Sequence, residues 1–245
     1  MNTQNTVEQL KVLKLTGMAK RYEAALALPV HELQDVHALI AMIIQAEVEY
    51  RDHARTQKYL KASKLRYHAL PEDILCNAER GITREQILRL SDGMFIEKGE
   101  NVLITGATGC GKTWLACALG NAACRQGLSV AYVRMPRLFE ELRIAHGDGS
   151  FGKRLTALAK ADLLILDDWG LAPLNQAERN DLLEVLDDRV GTRSTAITSQ
   201  LSAEHWHAYL NDPTLADAIL DRVLHAAHRL PLTGESQRNP KQAQS

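Results

Sequence analysis

The spacing of apolar residues changes along the chain, and that change divides it. Up to about residue 70 they recur at Val36, Leu39, Ile40, Ile43, Ile44, Ala46 and Val48, close to the helical period. No glycine falls between Gly17 and Gly81 and no β-branched run appears, so a small all-α domain is expected over 1–70. Pro29 divides its helices near 29–35. From residue 101 the texture becomes NVLIT, SVAYV, DLLILD and TAITS, with HRLPLT as a weaker fifth, separated by helical stretches. Strands alternating with helices predict a parallel sheet covered on both faces. Pro71, Gly81, Gly93 and Gly99 punctuate the stretch between, which reads as a linker over 71–98. The α/β domain then spans 99–235, and 236–245 reads as a polar, flexible tail.

Composition changes this picture only modestly. At 245 residues, 45% apolar and 24% charged, the chain suits a soluble protein with one substantial core and a small accessory domain. No apolar run approaches the roughly 20 residues a membrane span requires. The start, MNTQNTVEQLKVLK, lacks the basic-then-apolar pattern of a secretory signal, so a cytoplasmic protein is expected. Cys76, Cys110, Cys117 and Cys124 form no CxxC pair and read as reduced, structural thiols. Net charge is −1, but residues 51–68 set six cations against Asp52, a local +5. Residues 160–190 hold eight acids and three bases, a local −5. Such asymmetry points to a localised anionic partner.

The strongest chemical signal is Gly106-Ala107-Thr108-Gly109-Cys110-Gly111-Lys112-Thr113, which matches G-x-x-x-x-G-K-[ST]. It follows the expected strand Asn101–Thr105 and precedes an expected helix from Trp114, the context the motif needs. Glycines let backbone amides turn around phosphate oxygens, and the helix aims its positive end at the same anion. Lys112 would reach the β- and γ-phosphates of ATP, and the Thr113 hydroxyl would join a Mg²⁺ shell. The second signal is Asp162-Leu-Leu-Ile-Leu-Asp167-Asp168, an apolar strand ending in two carboxylates. Ligands of open α/β sheets bind at the carboxyl ends of the strands. Asp167 is therefore the expected Mg²⁺ ligand, and Asp168 the group that orients or activates attacking water. His225 and His228 lack a third ligand and read as structural or nucleotide-proximal.

The phosphate loop, the LILDD strand and the later TSQ strand end resemble AAA+ ATPases of the initiator and helicase-loader branch. The TAITSQL segment, Trp206, DPTLADAILDR and HRLPLTGESQR resemble the IstB transposition helpers of bacterial insertion sequences. The resemblance covers about residues 5–240. It implies a P-loop AAA+ core with a composite ATP site between subunits of a homo-oligomer. Thr198 or Gln200 would take the sensor-one role, Arg222 that of an arginine finger acting on a neighbour's ATP, and Arg238 that of a sensor-two arginine. An ordinary surface ion pair at Arg222 and a tail arginine at Arg238 are the alternatives. Thirteen residues (233–245) follow the last expected strand, too few for the helical lid most AAA+ modules carry.

The basic run sets Arg51, Arg55, Lys58, Tyr59, Lys61, Lys64 and Arg66 at near-helical spacing, suited to a phosphate backbone or to a solvated helix face. Resemblance to IstB favours duplex DNA. The initiator branch also inserts a DNA-facing helix after the second strand, where Arg137, Arg143, Lys153 and Arg154 are candidates. No base-reading module is present, so contacts should be mainly to phosphate. The expected function is an ATP- and Mg²⁺-dependent ATPase that assembles on and deforms duplex DNA and stimulates a transposase. A helicase loader is the alternative. A small-molecule kinase fits the basic segment poorly, and no Asn-Lys-x-Asp guanine-reading motif occurs.

Overall fold

The computed structural model describes residues 3–29 and 35–236. The chain divides into two compact units, Met1–Lys58 and Tyr59–Ser245.

The first unit holds α1 (Thr3–Val12), α2 (Thr16–Leu26) and most of α3 (Val36–Ser63). Helices α2 and α3 approach so closely that a Cβ on Gly17 would lie 2.3 Å from the Ala46 carbonyl oxygen. Beside this contact the buried Glu47 accepts hydrogen bonds from the Met18 amide at 3.1 Å and from Arg51 Nε at 2.7 Å. Burial alone would raise its pKa, but Arg51 and the Met18 and Gly17 amides outweigh it and hold the carboxyl below its ordinary range. The apolar period of α3 is helical as expected. Val36, Ile40, Ile44 and Val48 nevertheless lie exposed along it, one helical turn apart.

The second unit is built on five parallel strands: β1 (Asn101–Gly106), β2 (Val130–Arg134), β3 (Leu163–Trp169), β4 (Ser194–Ser199) and β5 (Ala227–Leu232). Their order is β2-β3-β4-β1-β5. Helices α4 (Arg84–Ser91) and α5 (Met94–Glu97) precede β1, and between the strands run α6 (Lys112–Arg125), α7 (Met135–Asp148), α8 (Phe151–Lys160), α9 (Gln176–Asp187), α10 (Trp206–Leu210) and α11 (Pro213–Leu224). Alternate strand residues go to opposite faces. Val102, Ile104, Ile165 and Ala196 pack with α6, whereas Leu103, Leu164, Leu166 and Ile197 pack with α7, α9 and α11. Burial on both faces is why the strands read as unbroken apolar runs.

Residues 71–98 differ from the expected linker. Ile74, Ile82, Ile87, Leu90, Phe95 and Ile96 are buried in the same core as α6. Thr83 and Gln86 form a reciprocal capping box at the start of α4. The glycines that suggested a linker instead make turns: Gly81, Gly93 and Gly99 all have positive φ.

The edge of the sheet where the strands begin is tied by Arg189, which is 1% exposed. Its guanidinium donates to the carbonyls of Leu158, Ala161 and Ser194 and to the Thr195 hydroxyl. Replacing it with leucine takes this donor from all three carbonyls and, among the described residues, leaves Leu158 with only the 3.4 Å bond from the Ala161 amide. Arg189→Leu should cost about 2–4 kcal/mol and lower the thermal midpoint by roughly 5–12 °C. Thr195→Val removes one partner and should cost about 1 kcal/mol. Thermal unfolding of both variants checks this, and equal effects would show that the carbonyls find other donors.

Candidate nucleotide site

The phosphate loop leaves β1 at Gly106 and enters α6 at Lys112. Glycine is required at both ends of the turn. Gly106 has φ 145°, and a Cβ there would lie 2.2 Å from the Leu232 carbonyl oxygen; Gly111 has φ 96°. The ammonium of Lys112 donates to the Gly106 and Ala107 carbonyls at 2.7 and 2.8 Å. Thr108 donates to Gln200 Oε1 at 2.8 Å, tying the loop to the end of β4. Cys110 is buried, consistent with a structural thiol.

The two carboxylates reach the loop because β3 carries an extra residue. Leu166 pairs with Ile197 and Trp169 with Ser199, so three steps on β3 oppose two on β4. Asp168 takes up the difference at φ 65°, a left-handed conformation uncommon outside glycine. A regular strand would point Asp167 and Asp168 to opposite faces. Here Thr198 serves both, its hydroxyl donating to Asp167 Oδ1 at 2.5 Å and accepting the Asp168 amide at 3.1 Å. Thr113 donates to the same Asp167 oxygen at 2.9 Å. A carboxylate and a hydroxyl so placed are oxygen ligands of the kind Mg²⁺ takes. These residues fit the ion, which would neutralise phosphate charge.

Several neighbours carry no sequence motif. Tyr132 donates to Asp167 Oδ2 at 2.6 Å, and burial together with this bond pushes its hydroxyl pKa far above the ordinary range. Arg134, the last residue of β2, donates from Nε to Asp168 Oδ2 at 2.8 Å. Arg80 donates to the Cys110 carbonyl of the loop at 2.9 Å. The strand-end rule marks Arg134, the last residue of β2, as lying near a site, but which acid it meets depends on the pairing of β2 with β3. Nothing in the pattern around Arg80 announces a site residue.

A cavity of about 380 Å³ opens beside the loop, lined among others by Tyr67, Ile74, Leu75, Ile82 and Trp114. The Tyr67 and Trp114 rings lie 5.6 Å apart at 40°. An aliphatic and aromatic wall next to phosphate-binding amides is the arrangement a nucleotide base needs. The segment read as a linker therefore supplies Ile74, Leu75 and Ile82 to the cavity wall.

The remaining expected site residues are scattered. Arg66 is placed differently from the basic run: its guanidinium stands 4.0 Å from Asp167 Oδ2 and over the Tyr67 ring. Helix α3 ends at Ser63 and Lys64 turns the chain at φ 54°, which carries Arg66 off the helix face. Within α3, Arg51 is paired with Glu47 and Arg55 with Asp52. Lys58, Lys61 and Lys64 are exposed, and Tyr59 packs partly into the core of the second unit. The helix expected after β2 is α7. Arg137 pairs there with Glu140 and Glu141, and Arg154 with Glu141, leaving Arg143 and Lys153 exposed. Arg222 lies in the last turn of α11, paired with Asp187 at 2.7 Å. His228 pairs with Glu100 at 2.7 Å. Arg238 lies outside the described residues.

Lys112→Ala should weaken binding of a non-hydrolysable ATP analogue about 100-fold, and Trp114→Ala about tenfold. Titration calorimetry reads both. Unchanged affinity in Lys112→Ala would remove the phosphate-loop assignment.

Known proteins supply an independent check. Residues 8–245 match the IstB-like ATP binding protein family. An insertion-sequence ATP-binding protein of Sinorhizobium fredii is 44% identical over 240 residues, covering 98% of each chain. One from the insertion sequence IS1162 of Pseudomonas fluorescens is 50% identical over 202 residues, covering 82% of this chain and 87% of the relative. Among solved structures, DnaI superposes with a TM-score of 0.59 at 24% identity, over 70% of this chain and 91% of that one. The DnaC helicase loader gives 0.55 at 19% identity, over 71% and 98%. These two show a shared AAA+ fold. With its phosphate loop, two carboxylates and parallel sheet in that arrangement, the chain belongs to the IstB-like ATP-binding protein family.

Proposed function

We propose that the protein is an ATPase that assembles on duplex DNA and stimulates the transposase of its own insertion sequence. The observation that carries the hydrolytic reading is the meeting of Thr113 and Thr198 on one Asp167 oxygen, with the Asp168 amide held by the same Thr198 hydroxyl and Asp168 lining the cavity beside the phosphate loop. Lys112 and the loop amides hold the phosphates, and Thr113 and Asp167 hold Mg²⁺, which when bound offsets charge on the transferred phosphoryl group. Asp168 orients and activates water once Arg134 no longer occupies its carboxylate, and Thr198 fixes the backbone from which it acts. Gln200, tied to Thr108, is placed to follow the γ-phosphate.

The position of Arg222 supports assembly. Helix α11 delivers it to the edge where the strands begin, while the phosphate loop leaves β1 at the other edge. About five residues of extended strand separate the edges, roughly 17 Å. Arg222 therefore acts on the nucleotide of another subunit, so turnover depends on oligomerisation. The exposed apolar stripe of α3 suits subunit packing, and Lys58, Lys61 and Lys64 suit contact with phosphate. Relatives that are ATP-binding proteins of insertion sequences support transposition as the process served.

Asp168→Asn should bind ATP as the parent does, lose turnover by at least about 100-fold, and persist on duplex DNA in a salt-sensitive assembly. Sedimentation with duplex and single-stranded DNA, with ATP and with its analogue, measures this. A preference for single strands together with capture of a replicative helicase would instead establish a loader.

A further inference from the structure

A second cavity, of about 370 Å³, lies at the edge of the sheet where the strands begin. Lys98, Arg189, Arg193, Arg222 and His225 line it, and no carboxylate does among the described residues. Arg193 and Arg222 have acidic partners, Asp162 and Asp187, at its margin. Arg189 forms no ion pair among the described residues; its partners are carbonyls and one hydroxyl. Burial brings its pKa down to about 10, so it remains charged at neutral pH. Lys98 is exposed at the mouth and makes no ion pair among the described residues. An electropositive recess of this size is a site for a compact polyanion, with Lys98 the cation readiest to meet it.

The chain's own nucleotide cannot fill the recess, because its phosphate loop lies at the far edge of the same sheet, roughly 17 Å away. We propose that this recess receives the terminal phosphates of a nucleotide held by a second copy, and that Lys98 contacts them alongside Arg222. The proposal rests on Arg222 acting between subunits and extends it: the acceptor is a multi-cation pocket, not a single finger. Asp187 holds Arg222 against α9, and the entering phosphate competes for that guanidinium.

Two measurements on the full chain test this. In a Lys112→Ala chain, whose own loop is disabled, binding of inorganic tripolyphosphate should weaken about tenfold when Lys98→Gln is added; Lys98→Arg should restore it. Lys98 is exposed, so the thermal midpoint should not move. Next, the Lys112→Ala chain, with an intact recess, is mixed with an Arg222→Ala chain, whose loop is intact. Turnover should reappear. Adding Lys98→Gln to the first chain should then lower kcat about tenfold while KM for ATP changes little. Restored turnover that ignores Lys98→Gln overturns the proposal and leaves the role of Arg222 standing, even if tripolyphosphate still binds there. Mixtures that never recover turnover remove the inter-subunit role of Arg222. In that event the first measurement alone decides whether the recess binds phosphate at all.

Discussion

One extra residue in β3 sets the geometry of the nucleotide site. Because three steps on β3 oppose two on β4, Asp167 and Asp168 escape strict alternation, and the Thr198 hydroxyl meets both the Asp167 carboxylate and the Asp168 amide. The left-handed backbone at Asp168 is the local cost, of order 1–3 kcal/mol. It is offset by a network in which Asp167 accepts from Thr113, Thr198 and Tyr132, and Asp168 is met by Arg134. Removing the bulge would restore strict alternation and point the two acids to opposite faces.

The parallel sheet imposes a second constraint. All five strands run the same way, so every βα turn collects at one edge and every return at the other. The phosphate loop, both carboxylates, Gln200 and the aromatic wall gather at the first edge. Arg222, the buried Arg189 and the cationic recess gather at the second. The proposed assembly would bring the second edge of one copy to the first edge of another.

The charges illustrate how little net charge says about contact. Six cations at 51–68 suggested one basic surface. The fold pairs Arg51 and Arg55 along α3, turns Arg66 toward Asp167 and leaves the lysines exposed. Helical spacing fixed which cations share a face up to Ser63, and the turn at Lys64 ended that rule.

What was legible in the sequence is what depends on neighbours along the chain. The phosphate loop is a run of eight residues whose own amides make the site, and the apolar runs show β1 to β4 because a strand buried on both faces admits few polar side chains. The acids were visible as the end of such a run. Tertiary structure alone decided the rest. Tyr132 and Arg134 reach the acids through the pairing of β2 with β3, a matter of strand order that no local pattern encodes. Residues 71–98 looked like a linker because their helices are short and broken by glycine, yet six of their side chains complete the core beside α6, and Ile74, Leu75 and Ile82 wall the cavity beside the loop. Burial of that kind is set by what packs against a segment, and the partners here lie tens of residues away in the chain.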